Sequence, residues 1–331
     1  MSVGSIVIAA MIAAWLSAPA AAQPKPAAPT AGVARAAEPD VAYGAYQRGE
    51  YLTAFREATR RVEEKGDPKA MTLLGELYAD GLGVANDDKK AVEWYKLASA
   101  RGDREAMFAL AILKMSGRGG PPDRQEGARL LAEAGKLGHV VATYNLALLY
   151  LEGQIVPQDS SRAAELMRKA SDAGNPQAQY ALATFYKDGR GVKKDPAEAA
   201  RLLGIAARTG HTDAEVEYGI ALFNGTGIAK NESTAGGYFL KAAQKNNAMA
   251  QSRLAMMYAS GRGIKADPVM AGRWYLIAKA GGESDPYLED VLRTMKPSDR
   301  TAAEARAEPW IARMQAIAPP PVTAAPAAPK R

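Results

Sequence analysis

One arrangement of small, aromatic and capping residues returns six times along this 331-residue chain, at a fixed interval of 36 positions. The anchors are Gly66, Gly102, Gly138, Gly174, Gly210 and Asn246, with Gly282 closing the sixth unit. An alanine follows each anchor by four residues: Ala70, Ala106, Ala142, Ala178, Ala214 and Ala250. A period of that size without drift predicts stacked structural repeats, each burying its apolar face on the next. The functional question then becomes which surface binds what, rather than which residues are catalytic.

The fourth unit shows the local logic. Asn175-Pro176 is an N-cap followed by proline at the first helical position, where a missing N–H costs nothing. Ala178, Leu182, Ala183 and Tyr186 then fall on one face of an α-helix. Gly189 and Gly191 mark a turn with φ above zero. Asp195-Pro196 opens a second helix, whose buried face is Ala199, Leu202, Leu203 and Ala206, with Tyr186 filling the space between the two. The second-helix cap recurs as Asp87, Asp123, Asp159, Asp195, Asn231 and Asp267. The glycine pair recurs as Gly81/Gly83, Gly117/Gly119, Gly189/Gly191, Gly225/Gly227 and Gly261/Gly263, while the third unit has Gly153 and Ile155. The tyrosine phase reads Tyr78, Lys114, Tyr150, Tyr186, Leu222 and Tyr258, so the second and fifth units depart from it.

The stretches Leu74-Gly75-Glu76-Leu77-Tyr78, Asp80-Gly81-Leu82-Gly83-Val84 and Ala91-Val92-Glu93-Trp94-Tyr95-Lys96-Leu97-Ala98 resemble the Sel-one-like repeat, a subclass of tetratricopeptide repeats. That resemblance covers residues 66–282 and implies an all-α fold, a right-handed superhelical solenoid of stacked helix-turn-helix repeats. It also implies a scaffold that assembles protein complexes, as in adaptors of eukaryotic membrane-protein degradation and bacterial envelope or exopolysaccharide regulators. The expected units are 66–101, 102–137, 138–173, 174–209, 210–245 and 246–282. Residues 40–65 read as a preceding tetratricopeptide-like hairpin, and 283–315 as capping helices with Trp310 packed there.

Both ends differ from the array. Residues 3–22 are uncharged, apolar and alanine-rich, and end in Ala20-Ala21-Ala22. They read as a signal peptide cleaved before Gln23, or, because Met1–Ser5 lacks a basic residue, as a retained membrane anchor. Cleavage is the preferred reading, and the expected location of the exported chain is therefore periplasmic or secreted. Residues 23–39 and 316–331 are rich in proline and alanine, and read as a tether and a disordered tail. The formal charge of +6 falls to +3 once Lys25, Arg35, Glu38, Lys330 and Arg331 are set aside. With no Lys/Arg run and no basic stripe among stacking aromatics, nucleic-acid binding is not expected.

Catalytic and cofactor chemistry finds no support in the sequence. The chain has no cysteine, so disulfides and thiolate metal sites are excluded. Its two histidines, His139 and His211, each follow a repeat anchor and read as first-helix caps rather than metal ligands. No serine has a lysine three residues on, and the Gly-x-Gly pairs lie between helices rather than after a strand. The acidic residues recur at cap phases, which explains them better than acid–base work. No enzyme, metal or cofactor is expected.

Mapped on a tetratricopeptide unit, the first helix lies on the concave side, and its inward stripe is the third, sixth, tenth and thirteenth residue after each anchor. The first unit gives Lys69, Thr72, Glu76 and Ala79. The next gives Glu105, Phe108, Ile112 and Met115, and the third Val141, Tyr144, Leu148 and Leu151. The fourth gives Gln177, Tyr180, Thr184 and Lys187, and the fifth Asp213, Val216, Ile220 and Phe223. A helix apolar on two faces is buried twice or presents an interaction surface. The expected partner site is a peptide groove centred on Phe108, Ile112, Tyr144, Leu148 and Tyr180 and rimmed by Glu105 and Lys187. Inter-repeat packing of the stripe is the competing reading. Two other functions stand beside the scaffold: an envelope spacer or assembly factor acting by shape, and a cell-wall hydrolase or glycan binder.

Overall fold

The computed structural model describes residues 40–317, and among these it has sixteen α-helices and no strand. The expected signal peptide, the linker and the tail beyond residue 317 lie outside the described residues. The chain divides into two compact units. One runs through Ala178 and includes Gly189–Lys193; the other comprises Gln179–Asp188 and the chain from Lys194.

The first unit contains α1 (Val41–Gln47), α2 (Tyr51–Lys65), α3 (Pro68–Asp80), α4 (Asp88–Ala100), α5 (Arg104–Ser116), α6 (Arg124–Lys136), α7 (Val140–Glu152), α8 (Ser160–Asp172) and the first turn of α9 (Pro176–Asp188). The second holds the rest of α9, then α10 (Pro196–Arg208), α11 (Thr212–Asn224), α12 (Glu232–Gln244), α13 (Ala248–Ser260), α14 (Pro268–Ala280), α15 (Pro286–Thr294) and α16 (Pro297–Ile317). In each, consecutive helices pack as pairs: α3 on α4, α5 on α6 and α7 on α8 in the first, α11 on α12 and α13 on α14 in the second. Neighbouring pairs meet through α4 and α5, α6 and α7, α10 and α11, and α12 and α13. The helix from Pro297 extends through Ile317, two residues past the expected cap boundary.

The helices start where the caps stand. Asp87, Asp123, Asp159, Asp195, Asn231 and Asp267 each accept a backbone N–H in the first turn of their second helix. Each cap satisfies a donor that the helix itself leaves open. The paired glycine has a second duty besides its positive φ. At Gly263 (φ 72°) an added Cβ would stand 2.6 Å from the carbonyl of Glu232, which begins α12 in the preceding pair. The loop of one repeat therefore lies backbone-to-backbone on the repeat before it, and a side chain there would separate the two.

Between the two helices of a pair, the residue sizes are matched. A Cβ on Gly75 would sit 2.5 Å from the Tyr95 ring, and one on Gly219 2.7 Å from the Phe239 ring. Where the second helix carries Leu131, Met167 or Leu203 at that phase, the first carries Ala111, Ala147 or Ala183. The last pair sets Tyr275 opposite Ala255. Its hydroxyl donates to the Asp285 carbonyl (3.2 Å) and lies 3.0 Å from Glu289 Oε1, so this tyrosine fastens the closing helices. There α16 packs on α14, and Trp310 meets Trp274 edge-on at 5.8 Å between centroids.

Candidate functional site

The first helices of each repeat carry the stripe, and the structure sorts its members into three environments. Phe108 and Met115 are buried, at 5% and 2% exposure, so neither is available to a ligand. This corrects the expected groove. Phe108 stacks on His139 with centroids 4.5 Å apart, and Met115 fills the space left by Gly127, whose Cβ it would otherwise strike. Two stripe members thus serve packing within and between repeats. Ile112, Tyr144, Leu148, Leu151 and Tyr180 are half-buried, and Glu105 and Lys187 are exposed.

The two expected rim charges are already paired. Glu105 Oε2 lies 2.9 Å from His139 Nε2, and that hydrogen bond holds the Glu105 carboxyl below its ordinary value. Lys187 Nζ donates to Glu217 at 3.0 Å. Both histidines cap their helices: Nδ1 of His139 accepts from Ala142 N at 3.0 Å, and Nδ1 of His211 from Ala214 N at 3.3 Å. An accepting Nδ1 carries no proton, so each cap requires the neutral ring. His211 stacks on Tyr180 at 4.8 Å, and its burial lowers its pKa. The sequence did not disclose these rings on the stripe, because cap and stripe fall on different repeats.

Two cavities lie along the stripe, one in each unit. In the first unit, a cavity of about 450 Å³ is lined by Lys69, Thr72 and Glu76 of α3, Asp103 and Glu105 at the start of α5, and Asp40 and Tyr43. It is polar and acidic. Burial, reinforced by Asp80, Glu105 and Asp103, pushes Glu76 up to about 7.

The second unit holds an apolar cavity of about 320 Å³. Phe239 and Met257, both buried, form its floor, and the half-buried Ile220, Phe223 and Met256 its walls. Exposed Asn224, Arg253, Ser260, Arg262 and Tyr287 stand around them. Ile220 and Phe223 are stripe residues that the repeat phase alone had marked. Met256 occupies the tenth position of the sixth unit, so extending the stripe by one repeat identifies it. Tyr287, 52% exposed, belongs to α15 outside the repeats, and no periodic signal points to it.

Among the described residues no group of three or more His, Asp or Glu is placed to hold a metal ion, and no helix is long and apolar enough to cross a membrane. The apolar segment 3–22 lies outside that range.

Comparison with known proteins agrees with this geometry. The model of the Sel1 repeat matches residues 68–103, 104–139, 140–175, 176–211, 212–247 and 248–283. The crystal structure of a Sel1 repeat protein from Oxalobacter formigenes superposes with a TM-score of 0.60 at 25% identity, covering 74% of this chain and 96% of that one. That of c5321, a protective antigen present in uropathogenic Escherichia coli strains and displaying an SLR fold, gives 0.54 at 24% identity, over 87% of this chain and 72% of c5321. The curated proteins yield no match. Sel1 repeats build a non-catalytic scaffold fold that generally mediates protein–protein interaction. Six matched repeats span most of the chain, and the protein belongs to the Sel1 repeat family.

Proposed function

We propose that this protein is an exported scaffold of the bacterial cell envelope that holds a segment of a partner protein against its first helices. One observation carries the reading: Ile220 and Phe223, marked by their phase in the repeat, line an apolar cavity together with Met256 and Tyr287. Aromatic and apolar side chains in such a setting are where binding energy concentrates. At about 320 Å³ the cavity lies at the lower end of ligand-site volumes, suited to one or two side chains. The Ala-rich segment 3–22 supports export, and the family resemblance supports a role in envelope or exopolysaccharide regulation.

In-cell crosslinking with mass spectrometry tests this, comparing the intact chain with an Ile220→Asp/Phe223→Asp variant. Capture of one envelope protein by the first and its loss from the second, with helical content retained, is the expected result. Capture of the same set by both would remove the second-unit stripe as the binding surface. Export is tested by N-terminal sequencing of the protein from the periplasmic fraction, with Gln23 expected as the first residue. A chain found with residues 3–22 intact and in the membrane would make them an anchor.

A further inference from the structure

The polar groups around the second-unit cavity are unbalanced. Two arginines line it and no carboxylate does. Arg262 is already engaged: its guanidinium donates to Glu232 Oε1 at 2.5 Å and lies 4.2 Å from the centroid of the Phe223 ring. Arg253 is different. It is exposed, projects from α13 beside Met256 and Met257, and has no carboxylate, carbonyl or ring partner among the described residues. An apolar recess therefore has an uncommitted guanidinium at its edge.

We propose that this cavity takes a partner segment in which an aliphatic or aromatic side chain is followed directly by aspartate or glutamate. The inference rests on the scaffold reading and names the chemistry of the partner. The apolar side chain enters between Ile220, Phe223 and Met256 and lies on Phe239 and Met257. The neighbouring carboxylate meets Arg253, whose planar fork matches two carboxylate oxygens. The apolar floor supplies most of the affinity, and the rim charge the selection, because a lysine in place of the acid would face two guanidinium groups. Tyr287 stands at the edge of the same recess, where its ring covers the bound side chain and its hydroxyl stays in water.

The test uses the full chain with ¹³C-labelled methionine methyl groups, so that Met256 and Met257 report occupancy by NMR. The probe is an acetylated, amidated hexapeptide Gly-Ser-Leu-Asp-Ser-Gly, whose only carboxylate is the aspartate. Saturable shifts of both methyls are expected. Binding weakens about tenfold when aspartate becomes asparagine, and is lost when leucine becomes alanine. Arg253→Gln weakens the aspartate peptide to the level of the asparagine one. Arg253→Glu makes a Leu-Lys peptide the better ligand, and this gain of binding cannot come from misfolding. Equal binding of the aspartate and asparagine peptides, or indifference to Arg253→Gln, overturns the proposal. So does the absence of methyl shifts with every peptide. Partner capture in cells that Ile220→Asp/Phe223→Asp abolishes and Arg253→Gln leaves intact would overturn this chemistry while leaving the scaffold reading in place.

Discussion

At the scale of single residues, the repeat is held by complementary sizes. Gly75 and Gly219 face Tyr95 and Phe239, whereas alanine faces leucine or methionine at Ala111, Ala147 and Ala183. Gly75→Ala sets a methyl 2.5 Å from the Tyr95 ring and should destabilise the protein by about 1–3 kcal/mol in urea unfolding. Adding Tyr95→Leu recreates the pairing of Ala111 with Leu131, so the double variant should recover part of that loss, a coupling read from the double-mutant cycle. Additive losses would mean that the ring can rotate away. Glu76 supplies a charge-based counterpart. Its pKa is raised in the fold to about 7 from 4.5, so the fold favours the neutral acid. That contribution is present below about pH 4.5 and is lost as pH rises through 7. Glu76→Gln removes the dependence and should be the more stable protein at pH 8, by on the order of 2 kcal/mol, with little difference at pH 4. His211 works in the other direction, because burial depresses its pKa: its contribution is present above the ordinary histidine value and is lost as pH falls. A His211→Asn variant, which keeps a capping side chain, should therefore lose less stability than the parent between pH 7 and 5.

At the scale of helices, caps and stripes explain what the sequence disclosed and what it hid. Six second-helix caps recur at one phase, and all six cap. First-helix starts vary more: Asp67, Asp103, His139, Asn175, His211 and Asn247 all accept from the first turn through different chemistry. His139→Ala should cost about 1 kcal/mol through the lost cap, and somewhat more through the lost stack on Phe108. His139→Asn restores the cap, as Asn175 and Asn247 do at the same phase, so it should recover the first loss but not the second in thermal unfolding. Equal damage from both substitutions would place the whole effect in the ring stack. Helix positions and the core face were thus legible, because a 36-residue period repeats every cap and every alanine. The fate of the second apolar face was not. Phase says that Met115 and Phe223 are equivalent, yet the first is buried beside Gly127 while the second lines a cavity. The neighbour twelve residues on differs: Gly127 leaves room for Met115, and Ala235 stands at the corresponding place in the fifth unit.

At the scale of the whole molecule, the recurring unit leaves an end problem that a period cannot solve. Each helix pair buries an apolar face on its neighbour, so the last pair needs something outside the repeat. In the second unit α15 and α16 supply it. Leu288, Leu292, Ala303 and Ala307 are buried, and Trp310 reaches back to donate from Nε1 to Asn246 Oδ1 at 2.8 Å. Asn246 is the one anchor that is not glycine, and it holds a left-handed φ of 64°. Asparagine tolerates that conformation better than most residues, and its amide gives the closing tryptophan a partner that glycine could not. Removing α15 and α16 would expose Trp274 and Tyr275, large side chains whose burial is worth about 1.5–3 kcal/mol each. A chain ending at Ser284 should accordingly lose hydrogen-exchange protection in α13 and α14 first, with α3 to α8 keeping theirs, because repeat stability is carried mainly by nearest neighbours. Trp310→Ala in the full chain should show a weaker version of the same pattern, confined to α14 and the turn at Asn246. Uniform loss of protection across both units on truncation would instead mean that the repeats unfold as one block, with the closing helices supporting all of them at once.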